Sequence, residues 1–272
     1  MKRFDAILMF AVVVFCGCGT QKYQDRLKRT NLYYKYLEEL DANLSERRWN
    51  AQGISLRVPL QFKLVKSDKK KAAKKRGNNK EKKDEKDGPP PIPPALMRLE
   101  GVLGRWSGSV AVDGKDKELP CFMVVAGNHH LWHRDKINSA AAAKFEERFV
   151  RQFYALAGEP MPMKKNWKEK QIPDSGSFVE RLPFFTFNAT RIVGVGGLKG
   201  RYDGLLYTHA RGGIQVAILF IIPHDTAADE RLSESKRISL CLQTLKFASG
   251  ESSRGSRRKP ARPKRKRGEL DF

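Results

Sequence analysis

Closely spaced histidines are the first residues in this sequence whose types and spacing suit chemistry. His129, His130 and His133 form the run HHLWH, and Asp135 follows soon after. Imidazoles three or four residues apart can share a metal ion such as Zn²⁺. The run follows a strand pattern, however, and no cluster of cysteine or glutamate accompanies it. We therefore expect a polar loop, and a metal-dependent enzyme using His129 and His133 stays an alternative.

A glycine-rich run at residues 194–200, GVGGLKG, has the composition of a phosphate-binding loop. The run lacks the Gly-Lys-Ser/Thr ending of a P-loop, and it precedes a strand pattern where a P-loop precedes a helix. A hairpin turn explains these glycines better. The sequence thus offers no catalytic residue and no cofactor site, and we expect a protein that is not an enzyme.

The body of the chain contains two cysteines. Cys121 lies in an apolar strand pattern, and Cys241 lies in a helix pattern that is expected to pack on the sheet. The two can form a disulfide in an oxidising compartment, although small buried apolar side chains are the default interpretation. A nucleophilic cysteine needs a neighbouring base, and the sequence shows no such arrangement.

The other two cysteines, Cys16 and Cys18, belong to an amino-terminal leader. A basic start precedes ten apolar residues at positions 6–15, which suit a signal peptide and are too few to span a bilayer. The run FCGCG that follows resembles the bacterial lipobox, in which a small residue precedes the cysteine that receives a diacylglycerol. Gly17 supplies the small residue. We therefore expect a signal peptide over residues 1–17 and lipidation of Cys18.

Positive charge directly after the leader argues against export. Lys22, Arg26, Lys28 and Arg29 follow the apolar stretch closely, and cations in this position resist translocation. An uncleaved apolar helix with a cytoplasmic body therefore stays open, and a plain secretory signal is a further alternative to the lipoprotein leader. The expected location is nevertheless the extracytoplasmic side of the cell envelope, with the protein held at a membrane by its lipid anchor.

Two segments carry much of the net charge of +23. Residues 66–88 and residues 251–272 each have a net charge of +6. Like charges at this density repel one another and stay solvated, so we expect a disordered insertion over 66–95 and a disordered tail over 249–272. The tail favours polyanions through counterion release. Its candidate binding residues are Arg257, Arg258, Lys259, Lys264, Arg265, Lys266 and Arg267.

The polyanion that this tail meets depends on the compartment. On an exported protein the candidates are anionic lipid, lipopolysaccharide and acidic polymers, whereas in the cytosol nucleic acid is favoured. No aromatic residues interleave with the cations, which weakens the case for stacking on single strands. A basic nucleic-acid-associated protein and a solvated tail without a partner both stay open, and the sequence names no protein partner.

The elements that must position these residues follow an α+β pattern. Residues 22–44 predict an amphipathic helix within a stalk over residues 18–50. Its apolar face contains Tyr23, Leu27, Tyr34, Leu37 and Leu44. Strand patterns follow at residues 53–58, 60–65, 105–112, 119–126, 184–192, 201–209 and 213–222. The last of these is the most apolar and is expected at the centre of the sheet.

Two more helices are predicted in the body, separated by an irregular loop over residues 159–182. Residues 138–157 form the first helix pattern, and Gly158 ends it. Its core-facing residues are Phe145, Phe149, Phe153 and Leu156. Residues 226–247 form the second. Its inward-facing residues are expected to be Leu232, Ile238, Leu242 and Leu245.

The opening GISLRVPLQFKLV and the ending VAILFIIPHDTAADERLSESKRISLCLQTLKF resemble the PsbP-like fold, an antiparallel β-sheet flanked by helices. Together with residues 23–44, they also resemble an uncharacterised lipoprotein family of planctomycete bacteria. The resemblance carries no catalytic motif. It implies an α+β domain over residues 51–248 that serves as a binding or assembly module. We therefore expect a membrane-anchored envelope lipoprotein that binds a ligand without catalysis.

Overall fold

A computed structural model describes residues 2–65, 90–112, 115–129, 131, 142–174, 178–193 and 201–248. Within these ranges, side chains are described except at residues 2–20, 115–117, 191 and 193. Several predicted features lie outside the described residues. They are most of the insertion at 66–89, His130, His133, the glycine-rich run at 194–200 and the tail at 249–272.

The described part contains four helices and ten strands, which confirms the predicted α+β class. The helices are α1 (Lys2–Asn43), α2 (Pro94–Met97), α3 (Phe145–Ala157) and α4 (Ala228–Gln243). The strands are β1 (Trp49–Ala51), β2 (Ile54–Leu56), β3 (Lys63–Leu64), β4 (Val102–Val112), β5 (Lys115–Gly127), β6 (Lys168–Ile172), β7 (Leu182–Val193), β8 (Arg201–Arg211), β9 (Ile214–Pro223) and β10 (Lys246–Phe247).

Seven strands form one antiparallel sheet in the order β3-β4-β5-β9-β8-β7-β6. The apolar strand β9 lies at its centre, as its composition predicts. A smaller antiparallel sheet has the order β1-β2-β10. Side chains alternate across a strand, so the central strands of the large sheet must be apolar on both faces.

Two apolar clusters cover the two faces of the large sheet, and we name each face after the helix on it. On the α3 face, Phe122 and Val124 of β5 pack with α2 and α3. On the α4 face, Cys121 and Met123 of β5 pack with the end of α1, with α4 and with the small sheet. The seven-stranded sheet is therefore the middle layer of three.

Helix α1 is unbroken from Lys2 to Asn43, and only its end is packed on the body. Leu40 and Leu44 are buried, whereas Tyr23, Leu27 and Tyr34 of the predicted apolar face are exposed. The segment over residues 21–35 is exposed throughout. No helix in the described part of the chain is long and apolar enough to cross a membrane.

Helix α3 confirms the predicted core-facing pattern. Phe145, Phe149 and Phe153 are fully buried, while Leu156 is only half-buried. Gly158 ends the helix in the left-handed conformation, with φ of 69°, which glycine adopts without steric cost. The described helix begins at Phe145, and the predicted start at residues 138–141 lies outside the described residues.

The prediction for the last helix is wrong in two respects. Helix α4 ends at Gln243, and Lys246 and Phe247 form β10 instead. Leu232, predicted to face inward, is 72% exposed, and Glu234 is buried in its place. The reason is helical phase: Glu234, Ile238 and Cys241 lie at intervals of four and three, so they share one face, whereas Leu232 points away.

Two segments that were predicted to lack regular structure contain helical or strand elements. The irregular loop predicted at 159–182 contains a 3₁₀ turn at Lys164–Asn166 and the edge strand β6. In the region assigned to the insertion, Pro93 is buried, and α2 begins at Pro94. Leu96 of α2 is fully buried on the α3 face, so the folded body resumes before residue 96.

Candidate ligand-binding groove

A groove opens on the α4 face beside α1, and it has two parts. The first part is a cavity of about 680 Å³ where β7 begins, β8 turns into β9, and α4 passes into β10. The second part is a cavity of about 460 Å³ along the wall of α1. Both are lined by Phe178, Val179, Gln243 and Lys246. We call the two cavities together the α1 groove.

The first part of the α1 groove has an apolar floor because three strands of two sheets meet there. Leu182 begins β7, Ile214 begins β9, and Leu245 directly precedes β10. Leu182 and Leu245 are buried and belong to the core of the α4 face. Phe178 and Phe247 are half-buried, so their rings are available as walls.

The rim of this first part is charged. Nη1 of Arg211 lies 2.9 Å from Oε2 of Glu180 across the cavity mouth. Both side chains are exposed, so solvent screens this pair and its contribution to stability is small. Lys246 is exposed on the same rim and has no carboxylate partner among the described residues.

Three aromatic rings line the second part, and one of them, Phe178, also lines the first part. The ring of Phe178 lies 5.5 Å from that of Tyr33 and 6.0 Å from that of Tyr36, measured between centroids. The hydroxyl of Tyr36 is buried and has no hydrogen-bond partner in the described part of the chain. Burial raises the pKa of Tyr36, so this hydroxyl stays protonated and can donate a hydrogen bond.

Two arginines close the second part. Nη1 of Arg57 lies 2.8 Å from Oδ1 of Asp41, and its Nε donates to the carbonyl of Ser45 at 2.7 Å. Arg48 donates from Nη1 to the carbonyl of Thr244 at 2.8 Å, and no described carboxylate pairs with it. Burial and the charge of Arg57 lower the pKa of Arg48.

Thr244 connects these groups to the end of α4. Its hydroxyl donates to the carbonyl of Cys241 at 2.7 Å and accepts from the backbone N–H of Arg57 at 2.8 Å. The carbonyl of Thr244 accepts the guanidinium of Arg48. One residue therefore ends the helix, ties it to the segment after β2 and positions a groove cation.

The α1 groove combines an apolar floor with tyrosine, threonine, arginine, lysine and glutamate side chains. Its described lining contains no cysteine, serine or histidine. His209 lies behind it, between the rings of Phe184 and Phe247, with Nδ1 2.6 Å from the carbonyl oxygen of Pro183. Burial lowers the pKa of His209.

A His–Asp pair lies at the opposite end of the same strands. Nδ1 of His224 is 2.8 Å from Oδ1 of Asp203, near the start of β8 and the end of β9. The hydroxyl of Thr226, two residues after His224, donates to the carbonyl of Pro223 at 2.6 Å and is buried. This hydroxyl is therefore engaged in the turn and does not complete a catalytic triad.

The residues predicted from the sequence do not meet in the α1 groove. Cys121 and Cys241 are buried free thiols in the core of the α4 face, and burial raises the pKa of each. The disulfide that the sequence left open is not formed in this structure. His129 is half-buried after β5, and the described residues hold no group of three His, Cys, Asp or Glu side chains that could bind a metal. Cys18 lies within α1.

Sequence reasoning missed the groove because its residues come from distant parts of the chain. Tyr36 and Arg48 come from the amino-terminal third, Phe178 from the predicted loop, and Lys246 from the predicted last helix. A local signal did exist. The runs RRW at 47–49, shortly after the first predicted helix, and LKF at 245–247, at the end of the last predicted helix, place cations next to aromatic rings.

Comparisons with known proteins identify no family for the chain. No family model matches it, and no curated protein is similar to it. Among solved structures, the chain is similar to a protein from Bacteroides thetaiotaomicron VPI-5482, with 10% identity and a TM-score of 0.35. The alignment covers 75% of this chain and 49% of that protein, so the chain spans about half of that protein's length.

Proposed function

We propose that this protein is a lipid-anchored envelope lipoprotein that acts as a non-enzymatic binding module through the α1 groove. The observation that carries the proposal is the groove itself. Ligand sites are typically concave, mostly apolar and on the order of 300–1,000 Å³, with a few polar groups that orient the ligand. The first part of the α1 groove, at about 680 Å³, fits this description.

The architecture supports a PsbP-like fold as part of this proposal. The large sheet is antiparallel, and helices lie on both of its faces. PsbP-like domains generally serve as binding or assembly modules, which agrees with the presence of an open groove on the α4 face. The fold is an analogy, so the proposal depends on the groove and not on the fold name.

The anchor in this proposal is a diacylglycerol on Cys18, and α1 is the stalk. At 1.5 Å rise per residue, the helix from residue 18 to residue 43 is about 38 Å long. The exposed segment over residues 21–35 would hold the sheet away from the bilayer. The basic tail would contact anionic lipid or acidic polymer on the same surface, and binding of nucleic acid is the second candidate for the tail.

Cell fractionation tests the anchor. Cys18→Ala is expected to release the protein from membranes, and intact-mass analysis of the wild-type protein should show a diacylglycerol at the mature amino terminus. Membrane retention of the variant, together with a wild-type mass free of lipid, would contradict the anchor. Deleting residues 251–272 separately tests the tail, whose loss should remove any salt-sensitive retention on polyanions.

Photoaffinity labelling tests the groove independently of the anchor. A neutral dodecanol probe with a diazirine in its chain should form adducts within residues 178–182 and 243–248, mapped by mass spectrometry. Phe178→Ala should weaken this labelling, whereas Met163→Ala should not, because Met163 is exposed outside the groove. Equal labelling of both variants at these segments would contradict a binding groove.

A further inference from the structure

We infer that the α1 groove binds a single-chain amphiphile with an anionic head group, with the chain on the apolar floor and the head group between Arg48 and Lys246. The inference rests on the proposed function, because it names the ligand class of the same groove. It goes further in predicting one sign of charge and one orientation for the ligand.

The first part of the groove indicates where the alkyl chain of the ligand binds. Its floor is aliphatic at Leu182, Ile214 and Leu245, and the rings of Phe178 and Phe247 flank it. The floor is continuous with the core of the α4 face. Apolar surface that is concave and open to solvent favours a ligand that removes it from water.

The cations that have no carboxylate partner indicate where the head group of the ligand binds. Arg57 is paired with Asp41, and Arg211 is paired with Glu180, so their charges are already balanced. Arg48 and Lys246 have no such partner among the described residues, and both line the second part of the groove. Glu46 also lines this part and forms no ion pair with either cation, so the described lining keeps an excess of positive charge. An anion placed there gains charge-assisted hydrogen bonds that the protein alone does not provide.

Tyr36 adds a polar group in the same place. Tyr36 lines the second part of the groove, and its buried hydroxyl has no hydrogen-bond partner in the described part of the chain. A buried polar atom without a partner costs free energy, and an anionic oxygen that accepts its hydrogen bond would remove that cost. The groove therefore offers two cations and one hydroxyl to a single head group.

A third cavity extends the aromatic wall toward the amino-terminal half of α1. Its volume is about 430 Å³, and it is lined by Arg26, Arg29, Thr30, Tyr33, Tyr34 and Phe178. It shares Tyr33 and Phe178 with the second part of the groove. In the proposed orientation, the third cavity lies toward the anchored end of α1. An anionic amphiphile that arrives from the membrane would therefore pass Arg26 and Arg29 before it reaches the α1 groove.

The same charges argue against other occupants. A cationic amphiphile with the same chain would place its head beside Arg48, Arg57 and Lys246, where like charges repel it. The chain's own basic tail is disfavoured for the same reason. A free inorganic anion lacks the apolar part that the floor would take from water.

The test compares diazirine probes that share one chain. A dodecanoate probe should label residues 178–182 and 243–248 at about tenfold lower concentration than the neutral dodecanol probe, the difference expected from one hydrogen bond to a charged group. Dodecyl phosphate should compete with the dodecanoate probe. Dodecyltrimethylammonium at the same concentration, and inorganic phosphate alone, should not.

Substitutions then assign the head-group position. Arg48→Gln and Lys246→Gln should each bring labelling by dodecanoate down toward that by dodecanol, and Tyr36→Phe should have a smaller effect in the same direction. Lys144→Gln removes an exposed cation at the start of α3, on the other face of the sheet, and should change nothing. Thermal unfolding of each variant verifies that the fold is intact.

The outcomes separate this inference from the proposed function. If dodecanol labels the groove as well as dodecanoate does, or if dodecyltrimethylammonium competes equally, the groove binds but the anionic ligand class is overturned. If neither probe labels the groove segments, the binding function itself fails. A charge preference that survives both Arg48→Gln and Lys246→Gln would overturn the proposed head-group position.

Discussion

The two faces of the large sheet differ in what covers them, although the same strands form both. On the α3 face, Phe145, Phe149 and Phe153 are fully buried against β7, β8 and β9. On the α4 face, buried ionisable groups lie among the apolar residues, and Glu234 and His209 are the clearest examples. The α1 groove is also on the α4 face.

The number of covering pieces explains much of this difference. One main helix covers the α3 face, so its side chains can interdigitate with the strands at the density of a protein interior. Three separate pieces cover the α4 face, namely the end of α1, helix α4 and the small sheet. The α1 groove lies where these pieces meet. The face that is covered by several separate elements is therefore the one with space for a ligand.

The buried carboxylate on the α4 face is held by specific partners. Nε2 of Gln61 lies 2.7 Å from both carboxylate oxygens of Glu234, and Nη1 of Arg237 lies 3.1 Å from Oε1. Burial still raises the pKa of Glu234, because these partners only partly offset desolvation. The α4 face therefore includes a buried carboxylate and a buried imidazole, whereas the buried ionisable groups described on the α3 face are the phenols of Tyr154 and Tyr202.

The largest expected effect is a loss of stability at the centre of the α3 face. Phe149→Ala should lower the free energy of unfolding by about 3–5 kcal/mol, because it leaves a cavity in a close-packed cluster. Phe178→Ala, on a half-buried groove wall, should cost less than about 1 kcal/mol. Urea titrations measure both, and equal losses would show that the two faces do not differ in packing.

The next effect tests how tightly α3 lies on the sheet. A Cβ at Gly204 of β8 would lie 2.7 Å from Cδ1 of Ile192 and from Cε2 of Phe153, so Gly204→Ala should destabilise by about 1–3 kcal/mol. Gly212→Ala, at the groove rim, meets no atom within 4 Å. Its cost comes from the φ of 58° and should be about 1–2 kcal/mol. A variant at Gly204 as stable as the wild type would mean that α3 moves freely on the sheet.

A smaller effect should appear as a pH dependence that belongs to the α4 face. Burial lowers the pKa of His209, with Arg211 acting in the same direction, while Pro183, Glu146 and Glu180 act against it. The unfolded chain therefore binds a proton at His209 first as pH falls, and stability should decrease below about pH 6.5. Stability measured at pH 7.5 and 5.5 should differ less in His209→Phe than in the wild type.

Glu234 contributes the opposite slope at lower pH. The pKa of Glu234 is higher in the folded protein than in the unfolded chain, so the folded state binds a proton at Glu234 first as pH falls. Stability from this group should thus increase as pH falls through the folded pKa, and the gain should be complete below the unfolded value of about 4.3. Glu234→Gln should remove that increase, and a slope unchanged in this variant would contradict the assignment.

The smallest effects are expected at the surface, where the two faces should not differ. Arg151→Ala removes an exposed pair with Glu147 on α3, and Arg211→Ala removes the exposed pair with Glu180 at the groove rim. Each should cost no more than about 1 kcal/mol, and the loss should shrink in high salt. A large cost for Arg211→Ala alone would mean that the rim pair supports the fold of the α4 face.

The sequence predicted the α3 face better than the α4 face for a physical reason. Phe145, Phe149 and Phe153 repeat at helical spacing, and β5 and β9 are apolar on both faces, so local patterns were sufficient. On the α4 face the pattern misled. Leu232 had the apolar type expected of a core residue, whereas Glu234 is the buried one, held by Gln61 from a distant loop.

The small sheet and the groove depended on long-range contacts that no local pattern contains. Lys246 and Phe247 continue a helical composition, yet they pair with Ser55 and Ile54 as a strand. This pairing becomes possible because the hydroxyl of Thr244 bonds to Cys241 and to Arg57, which turns the chain out of α4. Chemistry that depends on such a turn cannot be inferred from spacing along the chain.

Because α1 is unbroken, the number of its residues fixes how the groove is rotated about the helix axis relative to the amino-terminal end of the helix. Each residue of an α-helix adds a rotation of about 100° and a rise of about 1.5 Å. One residue inserted in the exposed segment over 21–35 would therefore swing the mouth of the groove by more than a right angle around the helix axis, with almost no change in its height. Four inserted residues would return it to within about 40° of its original bearing. The number of residues in this exposed segment of α1 thus sets the direction in which the groove opens around the helix axis.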